Sequence, residues 1–424
     1  MDGLSSVFIR VWISRLISII GTGITEFGIG VWIFDVTGKA TPMALTLLCS
    51  ILPSIVLGPL SGYLSDKYKR KNIIIIADSV AAIVSIFLFL YVKMFEYNIV
   101  VLCILTLISA TANMFDENAY TASITTLVEK SNLKKANGMN QVLDSITTIF
   151  APIIAGVLYY VIGLTGIIII DISTYIISML LFCGVESKNF STERVADEGD
   201  HKVKENIWKG FEFIFSQKSL LLLLIYFTIL NFLFNISSAL IEPLSLSVGS
   251  SIELGIVRAF GGGGMLLGSL FITFSKSKFK PSVIIRGSVI CTGIALLMMG
   301  ITESIILVAI GRLIFSIFIP VASAIAGSLW MAKTPEEIQG RVTSARFMVL
   351  KCFMPISYIL TGPLADYIIP NALNNIENNY FPIYSIIGSN AAQFRVIFMF
   401  AGLAVILTTC IITLNKSFKK LDVE

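Results

Sequence analysis

Charge is scarce in this chain. Asp, Glu, Lys and Arg make up 14% of its 424 residues, where a soluble globular domain carries roughly 25%, so a molecule bathed in water on all sides is excluded. Histidine occurs once, at His201 in a charged stretch, and one imidazole cannot build a metal site by itself. The six cysteines (Cys49, Cys103, Cys183, Cys291, Cys352 and Cys410) fall one to an apolar run with no CxxC spacing. That scatter reads as small buried side chains rather than disulfides or a metal cluster. No G-x4-G-K-(S/T) occurs, and the GGGG at 261–264 follows no strand and sits inside an apolar run, so it reads as a helix contact or bend rather than a phosphate loop. With no His base, nucleophile constellation or metal cluster, the chain reads as no enzyme, with no cofactor and no nucleic-acid partner.

What is present is apolar sequence. Hydrophobic residues make up 55% and the mean hydropathy is +0.86. Runs of about 20 apolar residues, long enough to cross a bilayer as helices, recur at 8–34, 41–65, 72–94, 98–121, 137–161, 164–184, 219–247, 252–275, 282–302, 304–331, 341–368 and 391–414. The expected fold is therefore an all-α membrane protein of twelve transmembrane helices. The first run lacks a small-residue cleavage site and should remain as a helix. Lys67, Lys69, Arg70, Lys71, Lys130, Lys134, Lys135, Lys276, Lys278 and Lys280 crowd the loops after even-numbered spans, which by the positive-inside rule places both termini and the long middle loop in the cytoplasm. The expected domains are a six-helix bundle at 1–185, a cytoplasmic linker at 186–218 and a second bundle at 219–424. Within the linker, Ile207, Trp208, Phe211, Ile214 and Phe215 recur at helical spacing, which predicts an amphipathic helix at the membrane surface. The Asn-rich stretch 370–393 reads as an outer loop with one short interfacial helix.

The two halves echo each other. Gly58 and Gly62 precede one cationic loop and Gly264 and Gly268 another, while ANGMNQ at 136 and IQGRVT at 338 open corresponding spans; such internal repeats are common in secondary transporters. Gly58, Gly62, Asp66, Arg70 and Lys71, in GPLSGYLSDKYKRK, resemble the signature between helices 2 and 3 of the major facilitator superfamily, with Tyr68 or Lys69 replacing its usual later glycine. The run from Tyr120, with Leu127, Val128, Leu133, Ala136 and Asn137, is similar to the macrolide-efflux-type and enterobactin exporters. APIIAG, with Pro152 and Gly156, resembles the helix 5 element of proton-coupled exporters. An arginine-bearing helix 4 motif has no counterpart in ISATANMFDENAY. The resemblance implies two six-helix bundles rocking about a midplane site in a bacterial plasma membrane, acting as a monomer.

The same loop can be read physically. Gly58 and Gly62 share a helix face that permits close backbone approach; Asp66 can accept hydrogen bonds at a helix N-terminus; Arg70 and Lys71 either complete this latch or only fix topology. Charges inside spans are costly and so are functional candidates. Glu26 stands first, a carboxylate able to trade a proton for a cationic substrate. Asp116, Glu117, Asp144, Glu242 and Arg312 follow as proton-coupling or substrate residues, with pairing to a neighbouring loop cation the alternative for Asp116 and Glu117. Asp78 and Asp171 can simply be satisfied by nearby hydroxyls. The expected function is export of an amphipathic, drug-like small molecule driven by the proton gradient. Export of a siderophore or other endogenous metabolite is the alternative, and an uptake symporter or a membrane sensor is disfavoured.

Overall fold

The computed structural model describes residues 5–129, 132–185, 201–275, 279–377, 391–415, 418 and 422, with backbone only for 201–208, 374–377, Pro59, Asp66 and Lys134. Every regular element among them is helical. The chain parts into two compact units, Met1–Ala196 and Asp197–Glu424.

Unit 1 holds α1 (Ser6–Thr37), α2 (Ala40–Val56), α3 (Gly58–Lys67), α4 (Arg70–Met94), α5 (Ile99–Leu127) and α6 (Leu133–Cys183). Ser5 caps α1 by accepting from the Phe8 amide, and Gly38, with φ of 62°, ends it in the left-handed region that glycine enters without penalty. The second expected span divides at Leu57 into α2 and α3; Pro59 has no amide proton to continue the ladder across that point. Spans five and six run on as α6, broken at Gly163, whose φ of 64° and ψ of −176° belong to a region essentially reserved for glycine. The pairings with α1 show a reversal there. Trp12 donates to the Met139 carbonyl at 3.2 Å and Tyr159 to Asp35 at 2.7 Å, so the first arm runs parallel to α1. Ser14 donates to the Ser178 carbonyl at 2.8 Å while Arg10 reaches the Gly184 carbonyl, so the second arm runs antiparallel.

Unit 2 holds α7 (His201–Ser216), α8 (Lys218–Val248), α9 (Ser251–Phe274), α10 (Pro281–Ile301), α11 (Ile305–Lys333), α12 (Gln339–Pro363, extended by a π turn at Leu364–Ile368), α13 (Ile369–Glu377) and α14 (Ala392–Leu414). A Ser250–Glu253 capping box starts α9. Ten described helices are long and apolar enough to span a membrane. One of them, α6, accounts for two spans and the shorter α2 supplies the twelfth, as expected. The linker segment 186–200 and the loop 378–390 lie outside the described residues, as do the side chains of Ile207 and Trp208.

Two expectations need adjustment. The amphipathic helix α7 does not simply rest on lipid: it docks on α12, with Ile214 fully buried, and a Cβ at Gly210 would come within 2.5 Å of the Arg341 carbonyl oxygen. Phe215 stays exposed. The six thiols are free but none is buried, and Cys183, Cys352 and Cys410 are exposed; lipid is as apolar as a protein core, so a cysteine in a span gains nothing decisive from burial.

The repeated glycine pairs differ in use. In unit 2 a Cβ at Gly264 would lie 2.6 Å from the Leu313 carbonyl oxygen, and one at Gly268 would strike that of Ile317, so α9 and α11 pack backbone to backbone. Among the described residues of unit 1, a Cβ at Gly58 or Gly62 meets nothing within 4 Å. Gly268→Val should therefore cost about 1–3 kcal/mol of overpacking and lower the thermal midpoint in detergent. Gly62→Val should leave the midpoint unchanged; equal effects at the two sites would refute this packing.

Candidate functional site

Polar side chains inside each unit gather into a few clusters. In unit 1, Arg15 on α1 forms an ion pair with Asp116 on α5, the two side chains only 14% and 17% exposed. The guanidinium also lies over the Tyr120 ring, 4.2 Å from its centroid, and Tyr120 donates to Asn140 of α6 at 2.8 Å. A cavity of about 20 Å³ beside them is bordered by Arg15, Asp116, Tyr120, Ser18, Ser178 and Asp78 of α4, room for about one water.

Farther along α1 a second group forms around Asp171 of α6, which is 2% exposed. Ser85 of α4 donates to Asp171 Oδ2 at 2.7 Å, in keeping with the expectation that hydroxyls satisfy it. Its other oxygen, Oδ1, is buried without a hydrogen-bond partner among the described residues. Gly21 leaves the space that Thr174 and Asp171 occupy, and Tyr175 and Thr22 share a 3.0 Å hydrogen bond between the two groups. Glu26 is exposed, on a face of α1 away from the buried Gly21, Ile24, Thr25 and Gly28. It lies within electrostatic reach of Asp171. Glu117 and Asp144 are also exposed, so the adjacent pair Asp116–Glu117 divides between a half-buried ion pair and a surface position.

In unit 2, Glu242 is 7% exposed and paired with Arg258 of α9. Arg312 of α11 fills the space left by the absent side chain of Gly261 and lies 5.3 Å from the Phe315 centroid; its Nε is buried without a partner among the described residues. Phe315 in turn meets Phe234 edge to face at 5.2 Å. Arg346 lies over Phe347 at 4.8 Å and borders a cavity of about 200 Å³ with Phe227, Asn231, Ser323 and Trp330. A larger apolar hollow of about 670 Å³ opens among Phe211, Phe215, Thr228, Phe232, Phe353 and Leu360, between α7, α8 and α12.

The chain matches the family "Major Facilitator Superfamily" over residues 11–357. It is a member of that superfamily. Curated relatives include "Macrolide efflux protein A" of Streptococcus pyogenes, 27% identical over 365 residues that cover 85% of this chain and 90% of the relative. The protein of the same name from Enterococcus faecalis is 27% identical over 323 residues, 75% of this chain and 99% of the relative. Among solved structures, the inward-facing bacterial homologue of the iron transporter ferroportin superposes with a TM-score of 0.70 at 14% identity, covering 99% of both chains. This superfamily member is thus a multi-pass, non-enzymatic membrane transporter.

The superfamily signature can now be placed. Arg70 is 6% exposed and donates from Nη1 to the Ala122 carbonyl at 2.7 Å, tying the start of α4 to α5. Lys71 donates to the Val185 and Cys183 carbonyls at the end of α6. Asp66 lies on α3, its side chain outside the described residues. Pro152 and Gly156 are buried on the face of α6 where Ala151 meets Gly23 of α1, 3.4 Å from the position of an added Cβ.

Three arginines escaped the sequence reading. Arg15 and Arg258 sit inside expected spans, so the cost of intramembrane charge, applied to every charged residue, would have flagged both. Arg395 opens the last span and passes for a flanking cation, yet it is 2% exposed. It donates to the Gly300 and Ile301 carbonyls and to Glu303 at 3.1, 2.5 and 2.7 Å, closing the C-terminal end of α10.

Proposed function

We propose that this transporter is a proton-driven exporter of amphipathic, drug-like molecules of the macrolide type, working by alternating access as a monomer in a bacterial plasma membrane with both termini cytoplasmic. The observation that carries the reading is the similarity to two macrolide efflux proteins along most of the chain. The carboxylates inside unit 1 support proton coupling. An exposed Glu26 within a 32-residue helix is affordable only beside water, which suits a group that meets substrate and proton alternately. The apolar hollow of about 670 Å³ in unit 2 falls in the size range of drug-sized sites. In the proposed cycle Glu26 loses its proton to the cytoplasm as a cationic substrate arrives, and reprotonation from outside displaces the substrate.

The test is transport by purified protein in proteoliposomes, with imposed pH or Na⁺ gradients, against a panel of macrolides and siderophores. The expected result is macrolide movement driven by the pH gradient alone. Siderophore movement without macrolide movement would replace the substrate class, and a requirement for Na⁺ would replace the coupling ion.

A further inference from the structure

In unit 1, one cation faces two carboxylates. Arg15 pairs with Asp116, and Asp78 of α4 lines the same small cavity. Among the described residues, the other groups facing this point from neighbouring helices do not supply a second positive charge. Tyr120 comes from α5, Tyr175 lies within electrostatic reach from α6, and the exposed Glu117 adds a further negative charge near Arg15. Arg70 and Lys71 start α4, about 10–12 Å from Asp78 along the helix, and are engaged with backbone carbonyls. Arg15 lies about 13 Å inside α1, counted from Ser6, within a helix long and apolar enough to span a membrane.

We propose that Asp78 is a proton-binding site, held protonated while Asp116 occupies Arg15 and able to give up its proton only when that pairing changes. The physical reason is charge neutrality. A carboxylate compensated by a guanidinium stays ionised, whereas a second one sharing the same site is ionised only against both desolvation and its neighbour's charge. Asp78 and Asp116 thus compete for Arg15, and the two hold one proton between them. The cavity has room for about one water, a neighbour that can accept the proton from Asp78. This gives the proposed proton-driven exporter a second proton-binding position, on which the occupancy of Glu26 does not directly depend.

The test is infrared difference spectroscopy of the full chain in lipid, at neutral against strongly alkaline pH, reading the carbonyl stretch of protonated carboxylic acids. Glu26→Gln and Asp171→Asn assign the bands of those two groups. The remaining band is expected to vanish in Asp78→Asn. It is expected to vanish in Asp116→Asn as well, because Arg15 then pairs with Asp78 and no proton is needed. Arg15→Gln should raise the band toward twice its amplitude, with both acids protonated. A band that survives Asp78→Asn overturns the site, and one that survives Asp116→Asn while absent in Asp78→Asn overturns the sharing of Arg15. The measurement needs no substrate, so its failure is distinguishable from a failed transport assay.

Discussion

Glu26→Gln is expected to reduce proton-driven efflux of a cationic macrolide to the level of vesicles lacking the protein, measured in everted vesicles under an imposed pH gradient. Glutamine keeps the shape of the protonated side chain but cannot ionise, so the position is fixed in the state that, in the proposed cycle, has released its substrate. Folding should be spared. Glu26 is exposed, outside the buried face that α1 presents to α6, and exposed substitutions ordinarily change stability by less than about 0.5 kcal/mol. An unchanged thermal midpoint together with lost efflux is therefore the expected pair of results. Glu26→Asp, which keeps a titratable group about one methylene shorter, should retain part of the activity. Full efflux in Glu26→Gln would remove this carboxylate from the coupling mechanism and shift attention to Asp171 or Asp78.

The spans were legible because length and hydropathy decide them. A run of about 20 apolar residues has few alternatives to a membrane helix, since an unsatisfied backbone cannot face lipid. Local breaks were harder. The division at Leu57 depends on a single residue, Pro59, inside the expected span 41–65, whereas the reversal at Gly163 falls between the expected spans 137–161 and 164–184. The charged clusters were half legible. Glu242 and Asp116 stood out as intramembrane acids, but their partners Arg258 and Arg15 are set by tertiary packing, and Arg15 lies 101 residues from Asp116 in the chain. The repeated glycines mislead in a different way. Equivalent positions in the two halves, Gly58 and Gly62 against Gly264 and Gly268, carry the same residue but differ in their neighbours inside their own units, because an internal repeat preserves sequence pattern without preserving every neighbour.

Arg15→Gln should be among the most damaging single substitutions in unit 1. It leaves Asp116 half-buried without its cation and Asp78 on the same cavity, and removing one partner of a fully buried ion pair costs about 3–5 kcal/mol, an upper bound for this half-buried one. Loss of the stacking on Tyr120, 4.2 Å away, adds about 0.5–2 kcal/mol. Protonation of Asp116 offsets part of this, so the sign of the pH dependence follows. The folded variant gains a proton that the unfolded chain at neutral pH does not hold, and stability relative to the native sequence recovers as pH falls. Arg15→Lys should recover little, because an ammonium cannot both stack on Tyr120 and pair with Asp116 in the planar geometry of a guanidinium. Arg15→Gln combined with Asp116→Asn should recover most of the loss, since it removes the uncompensated charge. Thermal midpoints of the single and double variants across pH provide the measurement. A double variant no more stable than Arg15→Gln would mean that Arg15 acts through packing on Tyr120 rather than through charge.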